Sequence, residues 1–287
     1  MPLFLFDMKE KNRVRLSIVL WVVVAMAFLC CGVVAYQRIE QDEAEPSVAP
    51  DTVCVDPESV GVNASQLNHI AQLVDDEPTP ICDVRGLAVA VVRNDNLIYD
   101  YGYGTLAGEI MAYGMGGAMM NVLVMQAIEK GYATLDGCVE ILQQMEHPYD
   151  IMGVAPEHVL TQLFAPLAME HSSLCGEHNG DCSTTMENMS RFVAMILDGG
   201  QSNNHRLLSR CGVDAMLTPS FGWNPTSYAS LLGSSAVEYC GEASAIIIDK
   251  ATGIGIIVVA DLGGEKSAET FTSLRSRIAS VVAAAIR

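Results

Sequence analysis

Met111-Ala-Tyr-Gly-Met-Gly-Gly-Ala-Met-Met-Asn-Val-Leu-Val-Met-Gln-Ala-Ile-Glu-Lys-Gly-Tyr-Ala-Thr-Leu-Asp136 is the stretch on which the reading of this chain turns. Its middle, Ala118 to Lys130, carries Met119, Met120, Val122, Leu123, Val124, Met125 and Ile128 and has almost no polar face. A helix that is apolar nearly all round is a buried helix. Its methionines, with Met115, are explained by packing. Ahead of it stand Gly114, Gly116 and Gly117, which supply backbone N–H groups and unusual dihedral angles but no side-chain chemistry.

The flanking sequence divides into recognisable elements. Asn63 to Val74 predicts an amphipathic helix with Leu67, Ile70, Ala71 and Val74 on one face and an Asn63/Gln66 capping pair. Gly86 to Arg93, a turn at Asn94-Asp95-Asn96, and Leu97 to Gly102 predict a hairpin. A second hairpin pairs Glu242 to Lys250 with Ile254 to Leu262 around Ala251-Thr252-Gly253. Ser267 to Arg287 predicts a capped C-terminal helix with Glu269 early and Arg275, Arg277 and Arg287 later.

Taken together these stretches resemble the serine β-lactamases, penicillin-binding proteins and related esterases. Gln126 to Asp136 resembles the end of that family's nucleophile helix. Gly86 to Val92 resembles its opening Pro-Gly-x-x-x-x-Val strand, and Leu163-Phe-Ala-Pro-Leu-Ala-Met169 its Phe-x-Pro-Leu-Gly-Met. Ser183 to Phe192, followed by Leu197-Asp-Gly-Gly200, is similar to its Ser-Thr-Ala-Glu-Asp-Leu-Ala-Arg-Phe segment. The resemblance covers about Asn63 to Arg287. It implies an α+β fold: an antiparallel sheet flanked by N- and C-terminal helices, with a helical subdomain reduced in size.

The departures fall where the family keeps its chemistry. Counting back from Gln126, the family's Ser-x-x-Lys falls on Gly114 and Gly117. A serine hydroxyl is a weak nucleophile until a neighbouring base takes its proton, and glycine can play neither part. No Ser-x-x-Lys occurs anywhere in the chain, and no tyrosine is followed two residues later by asparagine. Ser202-Asn203-Asn204 and His178-Asn179-Gly180 match family patterns, but in a polar loop and ahead of a helix, so both read as chance matches. Where a His-x-Gly or Lys-Thr-Gly strand should enter, the chain has Gly233-Ser-Ser-Ala-Val237, which makes Ser234 and Ser235 the expected late-strand region. The connections from Gly104 to Gly114 and from Asp136 to Leu163 are short for the family.

Composition sets off three segments, a cytoplasmic tail over 1–15, a transmembrane signal anchor over 16–36 and an acidic linker over 37–59, and the resemblance implies a β-lactamase-like domain over 60–287. Leu16 to Tyr36 is an uncharged run of 21 residues, long enough for a bilayer core of about 30 Å. Lys9, Lys11, Arg13 and Arg15 precede it and acidic residues follow. The positive-inside rule then puts the N-terminus in the cytoplasm and the domain outside, in a lumen or in a periplasm. Cys30 and Cys31 read as buried span cysteines or palmitoylation sites. From residue 39 onward there are 32 acidic and 11 basic residues, which argues against nucleic-acid binding.

Seven of the nine cysteines lie beyond the predicted span. Cys175 and Cys182 are the nearest pair suited to a local disulfide. With His178 they would offer three metal ligands, but the spacing matches no standard zinc pattern, and no metal or cofactor is expected. Asn63-Ala-Ser65 and Asn188-Met-Ser190 are glycosylation sequons, meaningful in a eukaryotic host. There is no Gly-x-Ser-x-Gly elbow, Walker loop or His-Glu-x-x-His, and Gly102-Tyr-Gly104 with Gly108 misses the dinucleotide spacing. The sequence therefore predicts a membrane-anchored pseudoenzyme that binds a protein or small-molecule ligand yet to be identified. Two alternatives stand beside it: an active serine hydrolase with another nucleophile, and a gene model that lost its catalytic exons.

Overall fold

Three apolar runs, Leu87 to Val92, Ala245 to Ile248 and Ile254 to Ala260, build the centre of the protein. Each is buried on both faces, so it reads as continuous rather than alternating hydrophobicity. In the computed structural model these runs lie in β1 (Asp83–Arg93), β10 (Ser244–Asp249) and β11 (Ile254–Gly263). With β2 (Asn96–Gly104), β8 (Asn224–Pro225) and β9 (Val237–Cys240) they form a six-stranded sheet of order β2-β1-β11-β10-β9-β8. Every pair in it is antiparallel.

The structure describes residues 54–75, 83–108, 110–112, 114–132, 134–135, 160–170, 172–175, 181–202, 205–228, 230–264 and 267–286. The predicted tail, span and most of the linker lie outside these. Among the described residues no helix is long and apolar enough to cross a membrane. Ala49–Arg287 form one compact unit.

Alternate residues of the central strands serve two different cores. Leu87, Val89, Val91, Ile247, Ile256 and Val258 face a cluster shared with Leu67, Ile70, Phe271 and Ile278. These come from α1 (Ala64–Leu67), α2 (His69–Asp75) and the C-terminal helix α6 (Ser267–Ala285). The predicted single N-terminal helix is divided at Asn68, and its cap forms as expected: Asn63 Oδ1 accepts from the Gln66 N–H at 2.9 Å. Ala88, Ala90, Ile246, Ile248 and Ile257 point the other way. There they meet α3 (Gly116–Glu129), α4 (Met186–Leu197) and α5 (Arg210–Met216).

Both predicted hairpins are present. The first turns over Asn94 and Asp95, with Arg93 opposite Asn96 and Asn94 at φ 55°. The second pairs Asp249 with Ile254. A short sheet of β3 (Ile110–Ala112), β4 (Ser173–Cys175) and β5 (Asp181–Thr184), in the order β3-β5-β4, was not foreseen. It brings the chain from the end of β2 to the start of α3. A two-stranded hairpin, β6 (Gln201–Ser202) with β7 (His205–Arg206), follows α4.

Candidate functional site

The start of α3 meets the end of β9, and this junction is where the resemblance locates a reaction centre. Gly114 sits in a left-handed turn at φ +80°, two residues before the helix. A Cβ added there would lie 2.7 Å from the Gly241 Cα, so the approach is backbone to backbone. Met115 stands at the N-cap without a side-chain cap bond and is fully buried. Gly117 lies in the first turn of α3. Its missing Cβ would fall 2.1 Å from Tyr239 Oη and 3.2 Å from Tyr239 Cζ.

Tyr239 is thus the side chain that fills the space. It is packed against Trp223, with ring centroids 5.4 Å apart and planes tilted by 60°. Gly222 (φ +79°) lies beneath the same ring, its absent Cβ 2.9 Å from Tyr239 Cε2. Burial pushes the Tyr239 hydroxyl above its ordinary titration range, so it is a neutral phenol at physiological pH. Trp223 is completely buried, and its Nε1 has no hydrogen-bond partner among the described residues. Further along α3, the buried Asn121 amide donates to the Phe221 carbonyl at 2.7 Å, tying the helix to the loop that carries Gly222 and Trp223.

Ser234 and Ser235, the expected late-strand residues, are not brought to this junction. They precede β9 at its far end, where Val237 pairs with Ile248. Ser235 Oγ donates to the buried Asp249 carboxylate at 2.9 Å, which also accepts from the Ala251 N–H and Thr252 Oγ1. That cluster closes the β10–β11 turn. The residues facing the glycines are Tyr239 and Gly241 instead. The signal that could have found them is the glycine two places after an aromatic at a strand end, hidden by the lack of a His or Lys.

On the opposite face of β9, Glu238 and Cys240 meet Arg275 of α6. Arg275 Nε donates to Tyr228 Oη at 3.1 Å, and its guanidinium lies 3.8 Å from Glu238 Oε2 and over the Tyr228 and Phe271 rings. Burial pushes the Cys240 thiol up, against the downward pull of Arg275. A thiol held in that protonated state is a poor nucleophile.

The remaining expected positions are scattered. Cys175 pairs in register with Asp181 and Cys182 with Leu174, so the two cysteines are not cross-strand partners. His178, Asn179 and Gly180 lie outside the described residues, as do Asn203 and Asn204 and the connection 136–159. The Asn63 sequon is at the surface. Asn188 is not: it is 4% exposed, and its amide nitrogen donates to the Glu170 carbonyl at 2.7 Å and Ser172 Oγ at 3.0 Å. A glycan on that nitrogen would displace both of these hydrogen bonds.

No family model matches the chain, and no curated protein matches it. Its structure does have counterparts. A candidate β-lactamase from Bacteroides dorei DSM 17855 superposes with a TM-score of 0.52 at 16% identity, covering 76% of this chain and 99% of that one. A β-lactamase from Mycobacterium bovis gives a TM-score of 0.51 at 12% identity, covering 74% and 99%. At such identities the likeness speaks for architecture alone, and it agrees with what the sequence motifs implied: the described domain has a β-lactamase-like fold.

Proposed function

We propose that this chain is a membrane-anchored, catalytically inactive relative of the β-lactamase-like hydrolases, with a binding or scaffolding role outside the cytoplasm. The observation that carries the reading is Gly114. The position that the resemblance assigns to the nucleophile has no side chain, adopts a left-handed dihedral and abuts Gly241 backbone. A serine there would be strained by its own Cβ and blocked by the opposite strand. The base position, Gly117, is equally bare. The competing reading, an active serine hydrolase, is supported by the fold alone.

The reading is tested by exposing the purified full chain to a fluorescent penicillin and to a fluorophosphonate probe. No covalent, heat-stable label is expected. Labelling that maps to a single serine would overturn the inactive reading in favour of the hydrolase.

A further inference from the structure

We infer that the vacated site is self-occupied: the phenol of Tyr239 is its resident ligand, standing in the volume where residue 117 would project. The inference rests on the inactive reading above and says what the lost chemistry was exchanged for. Three observations converge on it. The Tyr239 hydroxyl lies 2.1 Å from the position of a Gly117 Cβ, far inside any real contact distance. Gly222, on the other side, leaves room for the same ring, with its absent Cβ 2.9 Å from Cε2. Trp223 closes the third side by a tilted ring contact. A glycine in the first turn of α3 is unfavourable relative to alanine unless something needs the space, and here the Tyr239 hydroxyl takes it.

Self-occupancy predicts a closed site. An outside ligand enters only if Tyr239 leaves, and the space it leaves is shaped for a small hydroxylated ring beside an indole. Because Trp21 and Trp223 are the two tryptophans of the chain, Trp21→Phe makes Trp223 the one indole reporter of this pocket.

The experiment is a double-mutant cycle in the full-length Trp21→Phe background. Gly117→Ala is expected to lower Tm by several degrees when Tyr239 is present. The same change in Tyr239→Phe is expected to lower Tm clearly less, since the ring carbon left behind is 3.2 Å away, a tight contact that a small shift of the ring relieves, and alanine is the better helix former. A second arm adds phenol to Tyr239→Ala and to the parent. Phenol should raise Tm and change Trp223 emission in the variant and do neither in the parent. If Gly117→Ala has the same effect in both backgrounds, or if the parent binds phenol as the variant does, self-occupancy is overturned. Neither result resembles failure of the inactive reading, which would show as covalent labelling of a serine. If Tyr239→Ala does not fold, the cycle decides alone, because both of its substitutions are conservative.

Discussion

The Arg191 guanidinium donates to the main-chain carbonyl of Ala168, a non-glycine residue held at φ +51°. Arg191 also bonds Asn188 Oδ1 at 3.3 Å and pairs with Glu187 one turn earlier at 2.6 Å. The strained backbone is thus fastened by a side chain that is itself fixed on α4. The resembling family has glycine where this chain has Ala168.

Ala168→Gly should therefore stabilise the domain. An L-residue in the left-handed region costs about 1 kcal/mol relative to glycine, and the fastening carbonyl is untouched. Thermal unfolding should show a rise of about 2–4 °C for a domain of this size. A fall would mean the φ value is not the source of strain.

Asn188 supports the same corner from within. Its loss in Asn188→Ala leaves the Glu170 carbonyl and the buried Ser172–Thr184 hydroxyl pair short of a donor. An orphaned buried polar group costs about 1–3 kcal/mol, so denaturant unfolding should shift to lower midpoint with an unchanged slope. Wild-type stability would remove this network from the list of supports.

Asn63 and Asn188 mark where sequence reading succeeds and where it stops. The hairpins could be read because Val89, Val91, Ile256 and Val258 sit in apolar runs bounded by turn residues, and the Asn63 cap because capping is local. The buried helix after the glycines could be read from its composition. Asn188 could not: a sequon and a buried helix-start asparagine have the same letters, and burial is settled by distant partners such as Glu170 and Ser172. The three-residue β3 is too short to display alternation. The meeting of Gly117 with Tyr239 depends on a contact across the fold between helix and strand, which no local pattern encodes.

Alkaline pH should loosen the domain. Burial raises the Tyr99 hydroxyl to about 12 and raises that of Tyr239, from an ordinary value of 10.0. Between those limits the unfolded chain releases protons that the folded chain keeps, so the stabilisation is complete below pH 10 and is lost as pH rises toward 12. Melting temperature followed across this window should fall, and less steeply in Tyr99→Phe. Identical slopes would show that Tyr99 titrates as it does when unfolded.

Restoring the lost side chains should not restore a reaction. Gly114→Ser with Gly117→Lys asks a serine to adopt φ +80° and a lysine to displace Tyr239, a loss of about 2 kcal/mol or more. The double variant should melt lower and leave a chromogenic cephalosporin intact, since catalytic groups act as one unit. Efficient turnover with unchanged Tm would show that the remaining machinery is complete.

The predicted orientation has its own measurement. With four basic residues before Leu16–Tyr36 and acids beyond it, protease added to the non-cytoplasmic side of sealed vesicles should digest the domain. Digestion only from the cytoplasmic side would reverse the assignment.

The pairing of β1 with β11 sets Asp83 against Gly263 and Arg93 against Ile254, and the Asn63 N–H donates to the Ala285 carbonyl at 2.9 Å. Strands from the two ends of the domain are therefore immediate neighbours at the centre of its sheet. As the chain leaves the ribosome, β1 and β2 emerge early as a lone hairpin, which is marginal in water. Its apolar inner strand waits for a partner that is made only after the other strands of the sheet. The sheet cannot be completed in instalments, and whatever machinery synthesises the chain handles an unfinished sheet until β11 is out.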